Sequence, residues 1–393
     1  MNANATKAQQ DVHPGPLAGM CVLELAQIMA GPTCGMMLAD MGADVIKVEK
    51  LPGGDDARGY REPRVNGVSA PFLMMNRNKR GIALNLKHPQ GRDILLRLVR
   101  DADVLTENYR RGTLEKLGLG YDVLAEVNPG LIYCAVSGYG LDGPLSDKGG
   151  FDLIAQGFAG LMAVTGEPGR PPVKNGNPVA DINAGILAAA GVAAAYAHKL
   201  KTGRGQIVDT SLLEAAVQQT YWHAAIHFAT GAPQGPNGSA HSLTAPYQAF
   251  RASDGWINIG GANQANWERI ADVLGHPEWR DDQRFATNTA RMANLPALVA
   301  AMNDVLARKS RAEWLTLLDA AGVPAGPVHS LGEALTHPHT LARGMVVETN
   351  HPQAGAAKAL GCPIHFSEMP VRTDRPAPLL GEHTRELLRE CGY

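Results

Sequence analysis

Cysteine is sparse in this chain: there are five among 393 residues, Cys21, Cys34, Cys134, Cys362 and Cys391, with no CxxC pair and no Cys/His cluster. That spacing excludes a disulfide framework and a structural zinc site, and no metal ligands are expected. Net charge is almost absent too, at −2 from 36 Lys and Arg against 38 Asp and Glu. A global pull towards nucleic acid or acidic membranes is thereby excluded, so any anionic ligand must be held by local groups. The turns after the strands are read as carrying neither a GxGxxG fingerprint nor a Walker-type GxxxxGK[ST] run, so neither a nicotinamide dinucleotide nor ATP is expected as a cofactor. The segment Met1–Pro16 has neither the basic start nor the apolar core of a signal peptide. It reads as a flexible tail over 1–16 on a cytoplasmic protein. The one long apolar run, Ile182–Ala197, is short for a membrane span and rich in Ala and Gly, which suits a tightly packed buried helix.

What is present is ample core material, 45% hydrophobic residues, in a length that suits two or three domains. The first half reads as repeated βαβ units. Cys21–Leu25, Asp44–Glu49, Gly81–Leu86, Asp103–Glu107 and Leu131–Val136 are strand candidates, with helices opening at Gly31-Pro32 and over Gly91–Arg100. This is the pattern of a doubly wound α/β domain. Ligands of such sheets bind beyond the carboxyl ends of the strands, so residues 26–31, 49–58, 108–111 and 137–143 should converge. Basic residues gather there: Lys47, Lys50, Arg58, Arg77, Lys79, Arg80, Lys87, Arg110 and Arg111. Singly each reads as a solvated surface charge; together they suggest a phosphate-bearing ligand.

Asp181 stands at the mouth of the Ala-rich helix, read over Asn183–Lys199. The positive end of the helix dipole should favour its ionised form. Such a carboxylate either caps the helix, the more economical reading of this segment alone, or serves as a nucleophile. After residue 225 the character changes. Tyr247–Phe250 and Trp256–Ile259 flank Ser253-Asp-Gly255 as a hairpin, Gly260-Gly261 follows, and helical patterns run over 264–274, 294–307 and 311–321. This reads as a smaller α+β domain. The apolar alternation returns near Pro363, and a helix at 380–390 should pack back on the first domain. The expected layout is a large domain over 17–200, a linker over 201–224, the small domain over 225–325 and a return segment over 326–393.

Several motifs occur in order: Leu23-Glu-Leu-Ala-Gln-Ile-Met-Ala-Gly-Pro32, Gly42–Glu49, Asn78–Gly81, Ala102–Tyr109, Ser137–Gly140, Pro178-Val-Ala-Asp181 and Thr202–Gln206. Together they resemble the class III CoA-transferases, typified by formyl-CoA transferase and carnitine CoA-transferase. The resemblance implies a Rossmann-like large domain, a small domain and two linkers, in two chains interlocked as a homodimer. It assigns the nucleophile to Asp181, which would form an aspartyl-acyl anhydride and then an aspartyl-CoA thioester. The coenzyme A thioester is a substrate, and no metal or redox cofactor is implied. By the same resemblance, CoA contacts fall on Gln27, Met29, Ala30, Lys50, Leu84, Lys87, Asn108, Tyr109, Lys116 and Lys148. A glycine loop with oxyanion-binding amides falls on Gly260 and Gly261, although a plain hairpin exit fits those glycines equally well.

Formyl-CoA transferases carry glutamine where this chain has Met29, which turns the resemblance away from formate and oxalate. Gly238-Ser-Ala-His241, Ala245–Phe250 and Gly166-Glu-Pro168 look more like the succinyl-CoA-dependent, glutarate-type branch. His241 is a candidate substrate contact, or a loop histidine with a structural hydrogen bond. Two other functions stay open. An α-methylacyl-CoA racemase would need a histidine where this chain has Phe151, and a CoA-binding protein would bind without transferring. The implied partners are an acyl-CoA, a carboxylic acid and a second copy of the chain, with no nucleic acid and no membrane.

Overall fold

The computed structural model describes residues 15–393, so the tail expected over 1–16 lies, apart from Gly15 and Pro16, outside the described residues. Two compact units are present. The first takes the chain up to Leu161, Asn175–Thr220 and Pro338–Tyr393; the second takes Met162–Lys174 and Tyr221–His337.

Six strands form the centre of the first unit: β1 (Cys21–Glu24), β2 (Asp44–Lys50), β3 (Lys79–Leu84), β4 (Val104–Glu107), β5 (Ile132–Ser137) and β6 (Ile207–Ser211). All run parallel in the order β3-β2-β1-β4-β5-β6, which is a doubly wound sheet. Such a sheet is covered on both faces, and successive residues feed two different cores. Val22, Val45, Val104 and Ile132 pack with helix α1 (Ala30–Asp40). Their neighbours Leu23, Ile46, Leu105 and Tyr133 pack with α2 (Pro89–Asp101) and with Leu387 of the terminal helix Thr384–Glu390.

Next come α3 (Asp152–Phe158), α4 (Val179–Thr202) and α5 (Leu212–Gln218). Among the described residues, α4 alone is long and apolar enough to cross a bilayer. It lies instead on α1, β5, β6 and α5. Its small side chains permit the approach: a Cβ on Gly185 would stand 2.5 Å from the Ala30 carbonyl oxygen.

Several expectations change here. The 201–224 stretch contains β6 and α5; β6 escaped notice because it is a half-exposed edge strand with polar Asp209 and Thr210. The hairpin Val346–His351/Gly355–Leu360 lies ahead of Pro363, and its Ala-rich second strand has little β-propensity to signal it. Gly138-Tyr-Gly140-Leu-Asp-Gly143 after β5 has the spacing GxGxxG, but the next helix starts only at Asp152. A dinucleotide fingerprint needs that helix to begin at the turn.

Beneath the start of α1 lies a sealed cluster of charges. Glu24, at the end of β1, receives Lys47 Nζ at 2.9 Å and Lys79 Nζ at 2.7 Å, and Lys47 also meets Asp55 at 2.8 Å. The side chains of all four are fully buried. Burial opposes the Lys47 charge, yet Glu24 and Asp55 outweigh it and raise its pKa. Lys79, between Glu24 and the like charge of Lys47, is pulled down by burial to about 8. Arg77 pairs with buried Asp40, Arg80 with Asp44, Glu386 and Glu390, and Arg58 with Glu49. Five of the basic residues read as a phosphate-binding group are therefore internal ion-pair partners, and Arg80 anchors the terminal helix.

The second unit contains an antiparallel sheet of β7 (Tyr247–Ala252), β8 (Gly255–Gly260) and β9 (Ala325–Pro327) in the order β9-β8-β7. Helices α6 (Gln264–Val273), α7 (Leu295–Leu306) and α8 (Arg311–Ala320) enclose its core, where Trp267, Phe250, Leu298 and Trp314 are buried.

The charge cluster constrains α1 at Gly35, where an added Cβ would fall 1.8 Å from Glu24 Oε2. Gly35→Ala should therefore lower unfolding stability by more than about 2 kcal/mol, despite alanine's better helix propensity. Urea denaturation at constant pH checks this; an unchanged midpoint would remove the constraint.

Candidate active site

In the first unit the strand order reverses between β1 and β4, and the segments leaving those two strands are tied together. Gln27 N–H donates to Asn108 Oδ1 at 2.9 Å, and Asn108 Nδ2 donates back to the Gln27 carbonyl at 2.8 Å. Beyond them α1 begins with Met29 as its N-cap, which supplies no side-chain cap. The helix starts at Ala30, so Pro32 is its third residue and not its first. A switch point in a parallel sheet is where such folds hold ligands.

Asp181 is the third residue of α4, inside the first turn and not at its cap. The capping task belongs elsewhere. Ala180 N–H donates to Asp152 Oδ1 at 2.9 Å, and Gln156 Nε2 donates to Asp152 Oδ2 at 2.7 Å. Gln156 Oε1 in turn accepts Asn175 N–H at 2.8 Å. Among the described residues nothing donates to the Asp181 carboxylate; burial, and secondly the charge of Asp152, push its pKa up to about 6. Burial thus overrides the acidifying dipole expected from the first-turn position. Gly185, one turn on and on the same helical face, rests against Ala30 and Thr33 of α1. The nucleophile candidate therefore belongs to the helix end that packs beside the β1–α1 segment.

The other expected contacts are distributed unevenly. Lys50 Nζ pairs with Asp56 at 2.5 Å and reaches Gln27 Oε1 at 3.5 Å, so Gln27, Lys50 and Asn108 form one group. Met29 is half-buried and Ala30 buried at the head of α1. Leu84, at 5% exposure, has its side chain in the core beside β3. Lys87 is exposed just past β3, where its N–H meets Asn85 Oδ1. Tyr109 is half-buried, with its phenol pushed up to about 12 by burial. Lys116 and Lys148 are exposed, at the end of the helical turn Thr113–Lys116 and in the loop before α3. Phe151, the N-cap of α3, is 75% exposed.

Gly260 and Gly261 belong to the second unit, and both amides are already engaged. Gly260 N–H donates to the Pro324 carbonyl at 2.8 Å and Gly261 N–H to that of Pro246 at 2.7 Å. They form the hairpin exit, the plainer of the two readings of these glycines. His241 Nδ1 accepts Leu243 N–H at 3.1 Å, with the ring edge-on to Trp222 and Tyr247. Its Nδ1 is thus engaged in a local hydrogen bond of the loop. The helix-capping role of Asp152 and the hold of Asp55 on the β1–α1 segment are what the sequence left hidden. The only local signals were Asp152 after Gly149-Gly150 and Asp55 after Gly53-Gly54, and neither reveals its distant partner.

The profile of CoA-transferase family III matches residues 17–384. The chain is 38% identical to succinyl-CoA:glutarate CoA-transferase of Mus musculus, over 95% of this chain and 86% of the mouse protein. It is 39% identical to succinate--glutarate CoA-transferase of Agrobacterium fabrum, over 95% of each chain. The crystal structure of a CaiB/BaiF family protein from Brucella suis superposes with a TM-score of 0.86 at 38% identity, covering 96% of this chain and 100% of that one.

Because the folded state holds the Asp181 proton more tightly than an unfolded chain does, stability falls as pH rises from about 4 to about 6 and stays lower above. Asp181→Asn should therefore raise the thermal midpoint at pH 7.5 by roughly 1–3 °C, with the gain shrinking at pH 4. Scanning calorimetry at the two pH values measures it. A loss of stability at pH 7.5 would contradict the burial assigned to this carboxylate.

Proposed function

The chain belongs to CoA-transferase family III, and from that premise we propose that it moves coenzyme A from succinyl-CoA to a free dicarboxylate such as glutarate, with Asp181 as the nucleophile. The observation that carries this reading is the division of labour at the head of α4: Asp152 caps the helix, while among the described residues nothing donates to Asp181, whose pKa is raised. A partly desolvated, more basic carboxylate is a better nucleophile than a solvated one, provided it remains ionised at neutral pH.

In the proposed cycle an Asp181 oxygen attacks the thioester carbonyl, giving an aspartyl-succinyl anhydride and CoA thiolate. The thiolate attacks the aspartyl carbonyl and releases succinate, leaving Asp181 as a CoA thioester. The incoming dicarboxylate repeats the two steps in reverse, forming a mixed anhydride and then its own CoA ester, and frees Asp181. The Gln27–Lys50–Asn108 group at the strand ends would receive the CoA moiety, with Lys87, Lys116 and Lys148 as further cations and Met29, Ala30 and Tyr109 beside it. No cofactor beyond the CoA thioester enters the cycle. The protein would work in the cytoplasm as an interlocked homodimer. The dimer reading is supported by exposed Phe151, Ile154 and Phe158 around α3 and Ile182 and Ile186 on α4, an apolar surface that invites cover.

Asp181→Ala should lower succinyl-CoA:glutarate exchange by at least about 1000-fold while leaving CoA-ester binding measurable. Hydroxylamine treatment of the loaded wild-type enzyme should mark the peptide holding Asp181. Near-normal turnover of the alanine variant would sink the mechanism. In deuterated water a 2-methylacyl-CoA should stay undeuterated at its α-carbon, because Phe151 cannot serve as the second base of a racemase; rapid deuteration without exchange would reverse the assignment.

If Lys50, Lys87 and Lys148 face the CoA phosphates, each alanine change should raise KM for succinyl-CoA by roughly 2–5-fold at low salt and less at high salt. The glutarate KM should hardly move. Equal increases for both substrates would indicate a general defect in place of a phosphate contact.

A further inference from the structure

Only three non-glycine residues among those described have positive φ, and two of them, Asn66 and Asn78, are of the type that tolerates it. The third is Ile28, at φ +69°. For a β-branched side chain this conformation costs on the order of 1–3 kcal/mol and persists only where the surroundings impose it. Ile28 lies in the β1–α1 segment, between Gln27, clamped by Asn108, and Met29, the N-cap of α1.

Three successive residues of this segment are each held by a side chain from elsewhere. The Ala26 carbonyl accepts from Lys47 Nζ at 3.0 Å, Gln27 is held on both its N–H and its carbonyl by Asn108, and Ile28 N–H donates to Asp55 Oδ1 at 3.0 Å. The two flanking holders are an ion pair with each other, at 2.8 Å. Asp55 is itself fixed: it accepts Ala57 N–H at 2.9 Å, and its own N–H donates to Glu49 Oε2 at 2.8 Å. Lys47 is inaccessible and Asp55 3% exposed, so neither is placed to touch a ligand. The Ile28 side chain packs against the small cluster of Ala57, Phe72 and Ala354, which explains why an apolar residue occupies a position whose backbone would suit glycine.

We propose that Asp55, braced by Lys47, is a positioning residue. It holds Ile28 in the left-handed conformation and thereby sets how Gln27, Met29 and the first turn of α1 are presented to the CoA thioester. The ligand in this statement rests on the function proposed above; the latch itself does not. Freed from Asp55, Ile28 would relax to negative φ, and the segment would lose its fixed course while the apolar sheet beneath stays intact.

The test uses the full chain with two readouts. Amide exchange of the peptide spanning 25–31 reports the latch without any ligand, and succinyl-CoA affinity with kcat and both KM values reports its consequence. Asp55→Ala should speed exchange in that peptide at least tenfold, leave the β2 and β4 peptides unchanged, and raise the succinyl-CoA KM about tenfold with little change in the glutarate KM. Adding Ile28→Gly to Asp55→Ala should restore most of the affinity, since glycine adopts positive φ without a holder. A purely structural role for Asp55 would show no such rescue.

Should Asp55→Ala fail to fold because Lys47 loses a partner, Ile28→Pro decides the matter. It fixes φ near −65° and removes the N–H while leaving the ion pair intact, and it should weaken succinyl-CoA binding about tenfold or more. Wild-type KM and exchange in Asp55→Ala, absence of rescue by Ile28→Gly, or wild-type affinity in Ile28→Pro would each overturn the proposal. A wild-type protein that fails to bind succinyl-CoA would instead refute the CoA reading, and the exchange data would still judge the latch.

Discussion

The four buried charges Glu24, Lys47, Lys79 and Asp55 are the constraint on which the rest of the first unit depends. Two of each sign, they neutralise one another in a place water does not reach. A buried ion pair seldom adds net stability over a packed apolar replacement, but removing one member leaves an uncompensated charge at a cost of about 3–5 kcal/mol. What such a cluster provides here is location. It joins the end of β1 to β2 and β3, forces glycine at position 35 of α1, and through Ala26 and Asp55 reaches the segment that leads into that helix.

A second economy governs the head of α4. The N-terminal turn of a helix needs acceptors for its free amides, and an aspartate that supplied one would be poorly placed to attack a substrate. Asp152 relieves Asp181 of that task and adds a like charge nearby, while Gln156 holds Asp152 in turn. The raised pKa is thus produced by burial and by the same residue that caps the helix. Small residues at Gly185 and along the α4 stripe let this helix lie close against α1, bringing the carboxylate's helix to the beginning of the helix that follows β1.

Much of the architecture was legible because it is local. The strands from Cys21 to Val136 show as short apolar runs, the β7–β8 hairpin shows through Ser253-Asp-Gly255, and the helices after Gln264 show through their periodicity. The motif run from Leu23 to Gln206 carried the family as well. The basic residues were misread for a definite reason: sequence shows the sign of a charge but not its partner. Lys47 and Glu24 are 23 positions apart, Arg80 and Glu390 are 310, and only the folded chain reveals them as pairs. The engagement of the Gly260 and Gly261 amides was hidden in the same way, since their acceptors, Pro324 and Pro246, lie on other segments.

The amino-acid sequence by itself determined the doubly wound first unit, the smaller mixed second unit, the kinship of the chain and the identity of its nucleophile candidate. These follow from patterns repeated over a few residues and from motifs whose order survives without coordinates. Tertiary structure alone decided which charges are internal, which aspartate caps α4, why Ile28 is left-handed, and which glycine amides are engaged. Each of those depends on a partner far away in the chain, and on burial that raises or lowers a charge's free energy only once the chain has closed around it.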